Sequence, residues 1–268
     1  MGNRRRKKHL PPFFDRIDNP ELHHFPNGKP VDITPPPPEL SVFDRDLLRI
    51  CGNLGDRVHP GAFKALMRAY PEVLLRIRES VDGEIFPGRN TEVEFLEDLT
   101  KIWFKRRGFE HIFCGEVRGR KIKGMHYVGR YLQLQELGLA GKLPHNWRDE
   151  EVIPGAVYTM GILLRYGQEI LVDQRTGYAL ITDAIELLIA ATQAFKTESH
   201  GKTVCTFSVV DAKADLSYPA ILVKEDNAIV TFYPDATPEN AGCKIRPPTD
   251  NRPKPIDLKS EDRAFPSP

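Results

Sequence analysis

The sequence predicts an α+β protein, because segments of helical periodicity cluster in 41–107 and strand-like segments broken by one long apolar helix follow from 108. Proline marks the limits of that core. Of 23 prolines, nine fall in 1–40 and eight in 234–268, where missing N–H donors and fixed φ angles interrupt helices and central strands. The 268 residues are 40% hydrophobic and 28% charged, which fits one globular unit with Pro-rich ends. No run of about 18 apolar residues occurs, so no membrane partner is expected.

Residues 1–40 hold Arg4-Arg5-Arg6-Lys7-Lys8, His23-His24 and the tetraproline Pro35-Pro36-Pro37-Pro38. They read as a basic, Pro-rich arm that docks an inhibitor or another protein. Gly2 invites a myristoylation reading, but Arg6 stands where Ser or Thr is needed, and no apolar stretch follows to make a secretory signal.

The helical N-terminal part, 41–107, is read from four apolar sets at three-to-four spacing: Phe43, Leu47 and Ile50; Ala62, Leu66 and Ala69; Val73 and Ile77; Phe95, Leu99 and Trp103. Lys101, Lys105, Arg106 and Arg107 read as a solvated basic face available to phosphate.

From 108 to 236 the reading changes. Ile112-Phe113-Cys114 with Val117 reads as a strand, Lys121–Gly124 as a turn and His126–Leu137 as a short helix. Val157–Leu164 and Ile170–Val172 flank Tyr166-Gly167 as a hairpin, and Tyr178–Ile181 reads as a further strand. Thr182 or Asp183 caps an apolar helix running from Ala184 through Phe195. Strands Val204–Val210, Ala220–Val223 and Ala228–Tyr233 follow, and 237–268 is a Pro-rich tail.

A balance of 38 basic against 37 acidic residues gives a net charge of +1, so only local clusters can attract a polyanion. The four cysteines, Cys51, Cys114, Cys205 and Cys243, form no Cys-x-x-Cys pair, which argues against a zinc knuckle or a thioredoxin motif. They read as reduced thiols of a cytoplasmic protein.

Two of the eight histidines stand out. His111 and His126 lie fifteen residues apart, each beside apolar residues and a nearby glycine. Paired imidazoles supply one base and one acid near neutral pH, as cleavage of a phosphodiester by its own 2′-hydroxyl requires. A metal pair is disfavoured, since no carboxylate or cysteine cluster accompanies them.

The wording around those histidines is more specific than their spacing. Gly108-Phe109-Glu110-His111-Ile112-Phe113-Cys114-Gly115-Glu116, followed by Gly124-Met125-His126, resembles the EndoU endoribonuclease family in its coronavirus and bacterial branches. Val230-Thr231-Phe232-Tyr233-Pro234 resembles the end of that catalytic domain, and Thr176-Gly177 with Ile185-Glu186-Leu187-Leu188 resembles the approach to its active-site helix. The resemblance covers about 108–234 and implies a two-sheet EndoU-like catalytic core.

That resemblance implies His126 as general base, His111 as general acid, Tyr233 and Thr231 as substrate-binding residues, Gly124 beside the substrate, and Thr182 as a reader of the base. It also implies a lysine before the active-site helix, yet no lysine occurs between Lys142 and Lys196. Arg175 is the candidate replacement, with Lys213 and Lys224 as alternatives. The implied function is cleavage of single-stranded RNA near uridines, leaving 2′,3′-cyclic phosphate and 5′-OH ends, with no required cofactor and Mn²⁺ as a stimulant. A catalytically inactive RNA-binding protein of the same fold is the competing reading.

Overall fold

Helix starts in the first part of the chain are set by short polar or proline signals. The computed structural model describes residues 10–22, 30–197, 203–211, 216–235 and 243–245. After a small antiparallel pair, β1 (Glu21–Leu22) and β2 (Pro30–Val31), α1 (Val42–Cys51) opens on a capping box between Ser41 and Asp44. Proline occupies the first position of α2 (Pro60–Ala69) and α3 (Pro71–Glu79), where a missing N–H costs nothing. A second capping box, Thr91 with Glu94, opens α4 (Glu92–Phe104).

The second part is built from hairpins. β3 (Glu116–Arg118) pairs with β4 (Lys121–Gly124), and α5 (Val128–Glu136) follows. β5 (Ala140–Lys142), β6 (Glu150–Ile153) and β8 (Glu169–Ala179) all pair antiparallel with the long β7 (Val157–Tyr166). α6 (Ala184–Thr197) leads into a second sheet of β9 (Val204–Asp211), β10 (Leu216–Glu225), β11 (Ala228–Pro234) and β12 (Cys243–Ile245), in the order β11-β10-β9-β12. The two-residue turn at Asp226-Asn227 has φ of 51° and 55°, the left-handed values that match the twist of a tight hairpin. The architecture is α+β, and one apolar core joins the helices to both sheets through Phe43, Phe63, Trp103, Tyr131, Leu164 and Phe232.

Several expectations need correction. Residues Glu110–Cys114 form a single π-helical turn, not a strand. Ile112, Phe113 and Cys114 are at most 1% exposed, and a short turn buried on all sides carries the same unbroken apolar signature as a buried strand. Lys121–Gly124 is β4 rather than a turn, since the chain reverses at Gly119, where φ is 60°. Tyr178 and Ala179 end β8, and Leu180-Ile181 lie outside it.

The cysteines are also paired rather than free. Cys51 and Cys114 form a disulfide with Cα atoms 5.2 Å apart, and Cys205 is disulfide-bonded as well. Sequence distance hid the first bond, whose partners are 63 residues apart and meet only because α1 packs on the π-turn.

Nor does the N-terminal arm stand clear of the fold. Phe13 and Phe14 are 0% and 2% exposed; their rings pack on Tyr131 and Tyr178 at 5.1 and 5.5 Å. Their N–H groups donate to the Gln135 side chain at 2.6 and 3.0 Å. Pro35 of the tetraproline is buried too. The basic run 4–8 and His23-His24 lie outside the described residues, as does the C-terminal tail apart from β12. The basic end of α4 is occupied by protein partners rather than open to phosphate. Lys105 Nζ donates to the Asp226 carbonyl, Arg106 pairs with Glu225 and Asp226, and Arg107 with Glu116.

Candidate active site

The two histidines are brought together by one carbonyl. His111 sits on the π-turn, and His126 follows β4. The hairpin between them closes so that the N–H groups of His126 and Tyr127 both donate to Ile112 O, at 2.9 and 3.1 Å. The imidazole centroids are 5.5 Å apart. Tyr233, at the end of β11, stacks on His126 with centroids 5.3 Å apart and planes inclined by 30°. Gly124 lies flat against the His111 ring: a Cβ there would fall 2.3–2.6 Å from the ring atoms, so this glycine sets where the imidazole rests rather than lining the groove.

The two rings differ in their electrostatic partners. His126 Nδ1–H donates to the Gly177 carbonyl at 3.4 Å, which leaves Nε2 as the free lone pair. Burial, then the neighbouring His111, push the His126 imidazole down to about 3 against that hydrogen bond, so it is neutral over the physiological range. His111 Nδ1–H donates to the Glu116 carboxylate at 3.3 Å. Burial lowers His111 as well, but Glu116 works to keep its proton on. Glu116 is 3% exposed and also takes Arg118 Nε at 2.7 Å and Arg107 at 2.8 Å. Burial works to raise its carboxyl, and the hydrogen bonds from Arg118 and His111 with the arginine charges outweigh it, so Glu116 is held below the ordinary carboxylate value. Only one of the two imidazoles therefore has a carboxylate to support a proton, the separation of environments that distinguishes an acid from a base.

A groove of about 700 Å³ opens on the His126 side of this pair, lined by His126, Trp147, Arg148, Glu150, Arg175, Thr176 and Tyr233, among others, with His111 behind His126. Arg175 projects its charge toward both Glu150 and Tyr233, opposing the rise that burial causes in each. Of the residues singled out in the sequence, the structure gathers His111, His126, Tyr233 and Arg175 in one region. Thr182 is elsewhere: it is 3% exposed, and its hydroxyl is 2.6 Å from that of Tyr218. The α6 cap is Asp183, whose carboxylate accepts from Glu186 N–H at 2.9 Å. Thr231 lies two residues before Tyr233 on β11, 8% exposed, with a buried hydroxyl that has no hydrogen-bond partner. Lys224 places its ammonium over the Phe195 ring at 5.5 Å, and Lys213 lies outside the described residues.

Sequence reasoning gave no role to Glu116, to the Gly177 carbonyl or to the Trp147-Arg148 pair. Glu116 carried a usable signal, an acidic residue five places after His111 across a glycine. Gly177 acts through its backbone, and its missing side chain matters because a Cβ would lie 2.7 Å from Tyr158 O. Trp147 sits in a loop without periodic pattern, where nothing short of the fold aims it at the groove.

An imidazole pair beside a groove lined by a stacked tyrosine and an arginine has the composition of a site for acid–base chemistry on a phosphodiester. Residues 105–236, just under half of the chain, match the family described as bacterial EndoU nuclease. A uridylate-specific endoribonuclease of Paralichthys olivaceus is 34% identical over 67 residues, 21% of this chain and 17% of that protein. One of Mus musculus is 38% identical over 69 residues, 22% of this chain and 16% of that protein. The match thus spans about a sixth of the length of these curated relatives. Among solved structures, XendoU, described as a splicing-independent snoRNA processing endoribonuclease, is similar with a TM-score of 0.48 and 15% identity, over 72% of this chain and 76% of that one. The endoribonuclease Nsp15 of Middle East Respiratory Syndrome Coronavirus has a TM-score of 0.36 and 17% identity, over 52% of this chain and 37% of that one. Among the described residues no helix is long and apolar enough to cross a membrane.

Proposed function

We propose that this protein is an endoribonuclease that cleaves single-stranded RNA by attack of a ribose 2′-hydroxyl on the adjacent phosphate, with His126 as base and His111 as acid. The observation that carries this reading is the unequal support of two neighbouring imidazoles. His126, neutral and holding its one proton at Nδ1, accepts the 2′-hydroxyl proton at Nε2. The 2′-oxygen then bonds to phosphorus, the bond to the 5′-oxygen breaks, and that oxygen leaves with the proton supplied by His111. The products are a 2′,3′-cyclic phosphate and a 5′-OH. Arg175 stands in the groove where the family resemblance implies a lysine, and its charge meets the extra negative charge of the phosphorane. Thr231, two residues before Tyr233 on the same strand, has its hydroxyl buried away from the groove, so it supports the position of Tyr233 rather than touching the substrate.

Preference for uridine is carried by the names of the relatives, and the residue that reads the base is one lining the groove rather than Thr182. The imidazoles supply both proton transfers without a required metal, and any effect of Mn²⁺ is stimulatory. Disulfides form and persist in oxidising surroundings, which favours such a compartment over the cytoplasm expected from the cysteine spacing.

Two substitutions test the assignment. His126→Ala and His111→Ala are each expected to cut cleavage by roughly 10²–10⁴-fold. A substrate with an activated leaving group needs no acid, so it should restore His111→Ala and leave His126→Ala inactive. Restoration of His126→Ala instead reverses the roles; RNA binding without cleavage by the native chain makes this an inactive RNA-binding member of the family.

A further inference from the structure

The geometry points to a second nucleobase subsite, formed by the indole of Trp147 with the guanidinium of Arg148, that stacks a base flanking the scissile phosphate. This rests on the reading of the groove as an RNA-cleaving site. Trp147 is 62% exposed, whereas the other tryptophan, Trp103, is fully buried. Leaving the largest apolar side chain in water is unfavourable, and here it is left on the wall of the same groove that His126 and Tyr233 line.

The loop that carries it is fixed on both sides. Asn146 and Asp149, immediately flanking the Trp147-Arg148 pair, are 7% and 1% exposed. The Asn146 amide donates to the Asp149 carboxylate at 2.6 Å and to the Gln174 carbonyl at 3.0 Å, and the same carboxylate accepts from Gly161 N–H at 2.7 Å. Gly161 permits that close approach, since a Cβ there would lie 2.6 Å from the Asn146 nitrogen. Trp147 and Arg148 are thus held outward by an anchored turn whose ordering cost is met in the free protein. Such preorganisation is what a binding platform needs and what an idle surface loop lacks.

Arg148 lies 4.9 Å from the Trp147 ring centroid, so a cation backs the indole and its charge sits where a phosphate of the same strand would pass. Aromatic stacking accepts any base, because every base has a π-face. The subsite therefore adds affinity for the flanking nucleotide without adding base specificity.

The experiment uses the full chain and a series of short RNAs carrying one abasic residue, moved stepwise along the positions flanking the cleaved bond. The native protein should show a KM about tenfold higher for one abasic position. Trp147→Ala should show a similarly raised KM for the intact RNA and no further loss at that position, while Trp147→Phe keeps most of the effect. Unchanged KM in Trp147→Ala, or a loss that is the same with and without the abasic residue, overturns the subsite. If the native protein cleaves no RNA, the functional reading falls while the subsite stays testable. A 2′-deoxy oligonucleotide should still quench the fluorescence of exposed Trp147, and absence of quenching overturns the proposal.

Discussion

Replacing Glu116 by Gln removes the carboxylate that holds a proton on His111 while keeping a side chain of the same size. A hydrogen bond from a charged donor is worth about 1.5–3 kcal/mol, and each pKa unit corresponds to about 1.4 kcal/mol. Glu116 shares its charge among His111, Arg107 and Arg118, so the lower end applies, about 1.5 kcal/mol of support for the His111 proton, and losing it lowers the His111 imidazole further. Arg107 and Arg118, left without their carboxylate, push in the same direction. Because cleavage requires protonated His111, activity is full below the His111 pKa and is lost as pH rises through it. The acid limb, set by His126 at about 3, lies outside the working range. From pH 5 to 8 the native profile should therefore fall without a rising limb. The Glu116→Gln profile should fall at lower pH, giving roughly tenfold less turnover near neutrality and convergence with the native rate at low pH. Single-turnover cleavage of a short RNA across this range measures both curves. Superimposable profiles, or a shift toward higher pH, would refute the role of Glu116 and with it the assignment of His111 as acid.

Arg175→Ala is expected to lower turnover by about two orders of magnitude with little change in RNA affinity, while Arg175→Lys keeps much of the activity; Lys224→Ala should be neutral, and single-turnover rates separate the three. Phe13→Ala should cost about 3–5 kcal/mol in urea unfolding, and a chain beginning at residue 41 should be less stable still; equal stability would return the arm to the status of a detached tail. Cys51→Ser should lower stability by up to about 4 kcal/mol for a loop whose ends lie 63 residues apart, read from denaturant midpoints beside the native protein.

The fold was legible where one physical signal dominated. Apolar spacing locates α1 to α4 and α6, Tyr166-Gly167 locates the β7–β8 hairpin, and apolar strand-like runs locate β9, β10 and β11. The π-turn reads as a strand because four of its five residues are buried, which leaves no period to read. The arm was misread because proline density masked Phe13 and Phe14, whose burial depends on α5 and β8, distant in sequence. At the site, His111, His126 and Tyr233 were named from motif wording, and Arg175 from the absence of a lysine. Thr182 was misplaced, since a hydroxyl ahead of a helix looks alike whether it faces a groove or a buried tyrosine such as Tyr218. The Gly177 carbonyl and the aim of Trp147 are products of strand register and loop anchoring, which no local pattern records.

The proposed chemistry is attack of the RNA's own 2′-hydroxyl on the adjacent phosphate, driven by two imidazoles. Its most direct test is end-group analysis of an RNA incubated with the protein in EDTA, beside the same RNA with a single 2′-deoxy substitution at the cleaved position. The account predicts 2′,3′-cyclic phosphate and 5′-OH ends from the first and no cut at that position in the second. Cleavage that leaves a 5′-phosphate, that stops in EDTA, or that proceeds at the deoxy position would contradict it.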